Sequence, residues 1–193
     1  MMYNIIISSC LFALGLITES TDATTGGKYI DGIINMIEIP LYDEYSEQHS
    51  VKIDDEDIYK INKYKWTLKK NKYTYYVCTY IKGRPLFMHR VITNASKGEI
   101  CDHINHDGLN NMKSNLRLCT KAENNRNNLK HCKSSSKYKG ITYDKKNKKY
   151  RAVIWYNYKF IHLGRYINEI DAARAYNLAA EKYHKEFACL NVI

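Results

Sequence analysis

The sequence predicts an α+β protein made of two small modules joined by a short basic linker. Three observations support this prediction. Residues 100–124 contain an ordered set of Asp, His and Asn residues on two short strands, their connecting loop and the start of a helix. A Ser-rich basic stretch follows from Lys130 to Lys137. Three strand-like segments and an Ala-rich helix then occupy residues 138–184. With 193 residues, 45% of them hydrophobic, the chain can bury a core in each module.

The chain is basic, with 30 Lys and Arg against 20 Asp and Glu, a formal net charge of +10 and a pI near 9.2. The net charge is −2 over residues 1–35, +4 over 36–130 and +8 over 131–193. A basic excess of this kind is typical of nucleic-acid binding, with an acidic membrane surface as the less common alternative. The six cysteines form no C-x-x-C pair, which argues against a zinc ribbon or a dense disulfide framework and indicates reduced thiols.

Residues 1–35 differ from the rest of the chain. Their apolar run, Ile5 to Ile17, is too short to span a bilayer and has the length of a signal peptide's apolar region, but no Lys or Arg precedes it. It is either a targeting or membrane-associated segment, or an upstream extension of a protein that starts at Met36. We favour the extension, because organised globular sequence begins at Ile37.

The first module begins with an acidic run, Asp54 to Asp57, followed by apolar residues spaced three or four apart. This pattern predicts a short helix with carboxylates at its N-terminus, and an acidic metal-binding cluster is the alternative. Residues 73–81 and 86–92 predict the two strands of a hairpin around a Lys-Gly-Arg turn. Thr120 and Glu123 form a capping-box pattern, which predicts a helix that starts at Lys121.

In the second module, the pattern of apolar and turn residues predicts strands over residues 138–142, 149–155 and 159–166, followed by a helix capped by Asn168. Strand alternation divides the side chains of the last two strands between two faces. Facing the helix we expect Ala152, Ile154, Ile161 and Leu163; facing outward we expect Arg151, Val153, Trp155, Phe160 and His162.

Four polar residues of the first module have the spacing of a hydrolytic metal site. Asp102 and His103 are adjacent at the end of a strand, so their side chains point to opposite faces and have different roles. Asn115 and Asn124 follow 13 and 22 residues after Asp102, in a strand–loop–strand–helix hairpin that returns the helix toward the first strand. A carboxylate and an amide oxygen can share a divalent cation, and a neutral imidazole can take a proton from water. The alternative is an ordinary polar loop in an Asn-rich chain.

Residues 37–130 resemble the HNH nucleases, which have the ββα-metal fold, and in particular their homing-endonuclease branch. The matching motifs are Met88-His89-Arg90, Asp102-His103-Ile104-Asn105, Asn110-Asn111, Ser114-Asn115-Leu116-Arg117 and Glu123-Asn124. Where many relatives have Asp-Asn-Arg, this chain has Asn110-Asn111-Met112, a departure that affects loop or DNA contacts and leaves the metal pair intact.

The resemblance implies a role for each matching residue. Asp102 and Asn124 would bind one Mg²⁺ or a similar divalent cation such as Mn²⁺, His103 would be the general base, and Asn115 would complete the catalytic set by bracing the loop. On the same ground we expect DNA contacts from three further residues, His89 and Arg90 on the strand before the motif and Arg117 after it.

Residues 136–193 are similar to the AP2/ERF DNA-binding domain, a three-stranded antiparallel sheet packed on one helix that lays its outer face in the major groove. The matching motifs are Lys139-Gly140-Ile141, Lys149-Tyr150-Arg151-Ala152, Leu163-Gly164-Arg165-Tyr166 and Ala172-Ala173-Arg174-Ala175-Tyr176. The expected DNA contacts are Lys139, Lys145, Arg151, Trp155 and His162. Thr142 and Asp144 replace arginines of plant members, so the target sequence of those proteins is not carried over.

Together these features predict an N-terminal extension (residues 1–35), an HNH nuclease domain (36–130), a linker (131–136) and an AP2-like domain (137–193). The predicted activity is metal-dependent hydrolysis of double-stranded DNA by a homing-type endonuclease of a mobile element. We expect an intracellular location wherever the target DNA resides, in host cytoplasm or nucleus if the source is viral, with no membrane and no obligate protein partner. The rivals are a non-catalytic transcription regulator with a decayed nuclease domain and an RNA-directed nuclease.

Overall fold

The structure, a computed structural model, describes residues 36–129 and 135–193. The apolar run before Met36 and most of the expected linker lie outside these ranges. Residue contacts divide the chain into two compact units, the first ending at Leu118 and the second running from Cys119 to Ile193. The second unit therefore begins upstream of the expected linker and includes the helix that follows Thr120. None of the helices in the described ranges is long and apolar enough to cross a membrane.

The first unit contains three small sheets, of which the first two are antiparallel. Strands β1 (Met36–Tyr42) and β2 (Gln48–Asp54) form a hairpin, and strands β3 (Thr67–Lys70), β4 (Tyr75–Ile81) and β5 (Arg84–Phe87) form a sheet in that order. Strands β6 (Ile100–His103) and β7 (Leu116–Cys119) form the third sheet. Two short helices, α1 (Ile58–Ile61) and α2 (Met88–Ile92), lie between these strands.

One apolar core holds the first unit together, with β2, α1, β4 and α2 all contributing buried side chains. Its fully buried members include Val51, Ile53, Ile61, Val77 and Met88. Trp66 closes the edge of this core and donates its indole N–H to the carbonyl of Ile61 at 2.9 Å, which satisfies a polar group that burial would otherwise penalise.

The expected hairpin of residues 73–92 is correct only in its first part. Strands β4 and β5 pair around the turn at Lys82 and Gly83, but the segment from Met88 to Ile92 is helix α2 rather than the end of a strand. Met88 and Ile92 are both buried, and their spacing of four residues puts them on one face of a helix. The β-branched Val91 and Ile92 had suggested a strand, and packing against the core overrides that preference.

The acidic run Asp54 to Asp57 leads into helix α1, which ends at Ile61. Asp54 accepts a hydrogen bond from the backbone N–H of Lys113 at 2.6 Å, and Asp57 pairs with the ammonium of Lys60 at 2.8 Å. These contacts give the run a structural role in the first unit, instead of the alternative metal cluster.

The second unit contains helix α3 (Lys121–Asn127), strands β8 (Ile141–Asp144), β9 (Lys149–Tyr156) and β10 (Lys159–Tyr166), and helix α4 (Glu169–His184). The strands form an antiparallel sheet in the order β10-β9-β8, and α4 packs against it. Ala152 and Ile154 face α4 and are buried, as strand alternation predicts. Buried alanines of α4, including Ala172, Ala173 and Ala180, let the helix lie close to the sheet.

Local signals correctly predicted both helix starts in this unit. The Thr120 side chain accepts from the backbone N–H of Glu123, and the Glu123 carboxylate accepts in return from the backbone N–H of Thr120. The Asn168 side chain caps α4 by accepting from the N–H of Ile170 at 2.8 Å. Gly140 precedes β8 with a φ of +76°, and a Cβ there would lie 2.2 Å from the ring of Tyr176, so only glycine fits.

Candidate active site

The candidate site lies around strand β6 and the loop of residues 104–115 that connects it to β7. Asn115 closes this loop: its side-chain oxygen accepts from the backbone N–H of Asn105 at 3.0 Å, and its amide nitrogen donates to the carbonyl of Asn110 at 2.8 Å. The loop is also attached to strand β2, because Lys52 exchanges backbone hydrogen bonds with Leu109 and Asn111. These contacts give the residues after His103 a defined position.

His103 is buried and is held by the side chain of Asn111. Its Nε2 lies 3.3 Å from the Asn111 side-chain oxygen. The amide orientation of Asn111 is defined by its nitrogen, which donates to the carbonyls of Gly108 and Leu109 at 3.4 and 3.3 Å. Because the oxygen that faces His103 can only accept, Nε2 carries the proton and the lone pair is on Nδ1. The sequence interpretation assigned no role to Asn111, and its place in the Asn-rich motif was the only available signal.

Aromatic rings surround the imidazole of His103. The ring of His89 meets it edge-on with centroids 5.0 Å apart, and the ring of Tyr76 lies 5.7 Å away. Phe87 stacks on His89 at 5.4 Å. Burial lowers the pKa of His103, with the Asn111 hydrogen bond and the charges of Asp102 and Asp107 opposing this change. His103 is therefore neutral near pH 7, as a proton acceptor must be.

His89 was expected to contact DNA from a strand, and this needs correction. It lies on helix α2, is only 9% exposed, and its Nδ1 has no hydrogen-bond partner within the described ranges. Burial, helped by the neighbouring His103 and Arg90, lowers the pKa of His89 to about 3. It lines a cavity of about 420 Å³ together with Tyr76 and two lysines, Lys69 and Lys70. A neutral, buried imidazole is poorly suited to hold phosphate.

Arg90 was also expected to contact DNA, but its guanidinium has protein partners. It donates to the backbone carbonyls of Glu99, Ala95 and Ser96 at 2.7, 3.2 and 2.7 Å. These hydrogen bonds fix the segment between α2 and β6. The position of Arg90 therefore favours a structural role over phosphate binding.

Asp102 forms an ion pair with Arg117 across the β6–β7 sheet. The Nε and Nη2 atoms of Arg117 donate to the Oδ2 oxygen of Asp102 at 3.0 and 2.8 Å. The side chains of Arg117 and Asp102 are only 14% and 9% exposed. The guanidinium is thus directed at the candidate metal ligand rather than outward to DNA, which corrects the expected role of Arg117.

Asn124, the other expected metal ligand, lies on helix α3 in the second unit and is half-buried. The donor set suits the expected ion, because carboxylate and amide oxygens are hard ligands of the kind Mg²⁺ and Mn²⁺ bind. A pair of protein ligands is also typical of Mg²⁺ sites in which water and substrate phosphate complete the coordination.

A different group of metal-ligating types occurs at the turn between β1 and β2. Side-chain atoms of Asp43, Glu47 and His49 lie within 4.8 Å of one another. Asp43 already accepts hydrogen bonds from the Tyr75 hydroxyl and from the backbone N–H groups of Tyr45 and Glu47. Desolvation raises the pKa of Asp43, but the hydrogen bonds, led by that of Tyr75, outweigh it and lower the pKa to about 2. This cluster explains how the turn is held together.

The comparisons with known proteins agree with the geometry around β6. Residues 87–126 match the family described as HNH endonuclease, and this range includes His103, Asn111 and Asn115. The chain is also 37% identical over 139 residues to a protein of Acanthamoeba polyphaga mimivirus named as an uncharacterized HNH endonuclease. That alignment covers 69% of this chain and 70% of the viral protein.

The chain belongs to the HNH endonuclease family. It is a nuclease, and the endonuclease domain implies DNA as its substrate. No solved structure matches this HNH endonuclease. The family match ends at residue 126, so the sheet of the second unit lies beyond it, and the similarity of that unit to AP2 domains has no further support.

The second unit of the HNH endonuclease carries the whole formal net charge of the chain. Residues 119–193 include 16 Lys and Arg against 6 Asp and Glu, whereas residues 1–118 include 14 of each. The outward face of the sheet presents part of this charge. Arg151 on β9 lies directly opposite Thr142 on β8 and Arg165 on β10, so two arginines are neighbours there. Arg151 and His162 are exposed, as is Lys145 in the β8–β9 turn.

Lys139 does not belong to this outward face. Its ammonium group donates to the backbone carbonyls of Arg126 and Asn128, at 2.6 and 2.5 Å, where it caps the C-terminal end of α3. Burial lowers the pKa of Lys139, in agreement with a half-buried position. The expected DNA contact of Lys139 is therefore replaced by a structural role within the second unit.

Proposed function

We propose that this HNH endonuclease hydrolyses phosphodiester bonds of double-stranded DNA with His103 as general base and a divalent cation as cofactor. The observation that carries the proposal is the environment of His103: a buried, neutral imidazole whose Nε2–H is held by Asn111, so that Nδ1 carries the lone pair. An imidazole in this state can accept a proton from water as the water attacks phosphorus.

Four further residues support the reaction. The oxygens of Asp102 and Asn124 would hold one Mg²⁺ or Mn²⁺ ion, and Asn115 keeps the loop after His103 closed through its two hydrogen bonds. The bound cation would stabilise negative charge on the phosphate and on the leaving 3′ oxygen. Arg117 restrains the Asp102 carboxylate through its two hydrogen bonds to Oδ2 and so limits how that ligand can rotate.

The second unit supplies affinity for DNA in this proposal. Its net charge of +10 attracts the phosphate backbone, and the outward face of its sheet presents Arg151, Trp155 and His162, with Lys145 at the adjoining turn. An AP2-like sheet of this kind would bind in the major groove. We propose that the protein is a homing-type endonuclease of a mobile element, because it combines a nuclease domain with a DNA-binding module of this kind.

The test is cleavage of supercoiled plasmid by the full chain, with Mg²⁺, with Mn²⁺ and with EDTA. The proposal predicts conversion to open-circle or linear DNA that requires the metal and is lost in Asp102→Ala, while gel-shift binding of DNA remains. Leu178→Ala is a suitable control, because this leucine is exposed on α4, away from the sheet's outward face. DNA binding without cleavage under every metal would instead favour the regulator with a decayed nuclease. Cleavage of RNA in preference to duplex DNA would favour the RNA-directed rival.

A further inference from the structure

The second unit contains a cavity that the proposed roles of its residues do not explain. It has a volume of about 640 Å³ and is lined by side chains of α3, β9, β10 and the end of α4. This volume is within the range of cavities that bind small organic groups. The lining combines aromatic rings with the cationic side chains of Lys121 and Arg126.

The aromatic wall is built from two strands. Trp155 on β9 is the cross-strand partner of Phe160 on β10, and their rings meet at an angle of 66° with centroids 4.4 Å apart. The two residues are 49% and 73% exposed, although large aromatic side chains are normally covered. Arg126 lies over the neighbouring ring of Tyr156 at 5.4 Å, which brings a positive charge to the same wall.

Exposed aromatic rings beside cationic side chains are the chemistry of a nucleotide site. We infer that this cavity binds one unpaired nucleotide of the DNA, with its base stacked on one ring of the edge-to-face Trp155–Phe160 pair and its phosphate beside Lys121 and Arg126. A paired base presents only its edge in a groove, so the face of a base reaches such a wall only when it is bulged, flipped or at a strand end.

This inference rests on the proposed function, because it takes DNA as the substrate. It goes further in assigning the cavity to a distorted or unpaired position of that substrate, which Trp155 would contact while Arg151 and His162 of the same outward face contact the groove. It also explains why Trp155 and Phe160 remain exposed: a stacking base would cover them.

The test measures binding of the full chain to fluorescent duplexes in EDTA, so that cleavage does not interfere. Three duplexes are compared: fully paired, with one bulged deoxyadenosine, and with one bulged abasic site. The abasic duplex controls for the bend that any bulge introduces. Binding of the deoxyadenosine bulge about tenfold tighter than the abasic bulge is the expected result.

Two variants complete the test. Phe160→Ala should reduce the preference for the adenine bulge to less than threefold, while Leu178→Ala, an exposed apolar truncation in the same unit, should keep it. Both residues are largely exposed, at 73% and 69%, so folding is preserved and circular dichroism can verify it.

Equal binding of the adenine and abasic bulges by the wild-type chain would overturn the inference. The inference would also be overturned if free deoxyadenosine monophosphate displaced the labelled bulged duplex as well as the unlabelled bulged duplex does. The occupant would then be a free nucleotide. Failure of the proposed function has a different signature, since it appears as absence of metal-dependent cleavage whatever the bulge preference is.

Discussion

Asn111→Ala tests how the position of His103 is maintained. The Asn111 side chain is fully buried and makes three hydrogen bonds, at 3.3 Å to His103 Nε2 and at 3.4 and 3.3 Å to two loop carbonyls. At about 1 kcal/mol for each hydrogen bond, together with the small cavity that is left, the variant should lose about 3 kcal/mol of unfolding free energy. This loss removes the hydrogen bond that defines the orientation and the tautomer of the imidazole.

The effect on catalysis follows from the role of the imidazole. A general base contributes about 100- to 10,000-fold, and a misplacement of about 1 Å can cost about 100-fold. We therefore expect the single-turnover cleavage rate of Asn111→Ala to fall about 10- to 100-fold, with the Kd for DNA unchanged within about twofold. Asn110→Ala is the matched control, because this side chain bonds only within the loop, to the N–H of Met112. It should retain the wild-type rate within about threefold.

A double-mutant cycle separates positioning from a general loss of structure. If Asn111 acts through His103, then adding Asn111→Ala to His103→Ala should lower the rate no further. A further tenfold loss in the double variant would refute the positioning role. So would a wild-type rate in Asn111→Ala under conditions where it is folded.

Three other predictions address stability and DNA binding. Gly140→Ala should lower the unfolding free energy measured in urea by about 3 kcal/mol, because it adds a Cβ 2.2 Å from the Tyr176 ring. Gly83→Ala is the control: it has the same φ of +76° but no atom within 4 Å, and it should cost about 1 kcal/mol. Equal losses in the two variants would show that the contact with Tyr176 is not the cause. His89 stays neutral in the folded chain down to about pH 3, while in the unfolded chain it takes up a proton below its ordinary pKa of 6.5. Unfolding free energy should therefore fall by about 2 kcal/mol between pH 6.5 and 4.5, and His89→Phe should lose this part of the pH dependence. Arg151→Ala should weaken binding to all duplex sequences alike and reduce the slope of log K against log salt by about 1; an unchanged slope would remove Arg151 from the phosphate contacts.

The parts of the fold that sequence reasoning predicted correctly depend on local signals. The capping box at Thr120 and the Asn168 cap fix helix starts through contacts two or three residues apart. Side chains of a strand alternate between its two faces, so the buried Ala152 and Ile154 define the inner face of β9 and the residues between them the outer face. Such contacts can be inferred from spacing alone.

The parts that sequence reasoning missed depend on contacts between distant segments. The hairpin of β1 and β2 was not predicted, although Ile37, Ile39 and Leu41 alternate with Glu38 and Pro40 along β1. Helix α2 looked like the end of a strand until Met88 and Ile92 were seen packed together in the core. The role of Asn111 arises only when its loop folds back on His103 and strand β2. Arg117 and Lys139 were assigned to DNA because of their charge, whereas their partners are in the protein.

The proposed hydrolysis depends on His103 removing the proton from the attacking water. The most direct measurement compares single-turnover cleavage of one duplex by the wild-type chain and by His103→Ala, at saturating protein and fixed Mg²⁺, with DNA affinity measured in parallel. We expect a rate at least 100-fold lower in the variant, an unchanged Kd, and partial recovery of the rate with added imidazole. A variant that cleaves at the wild-type rate would contradict it.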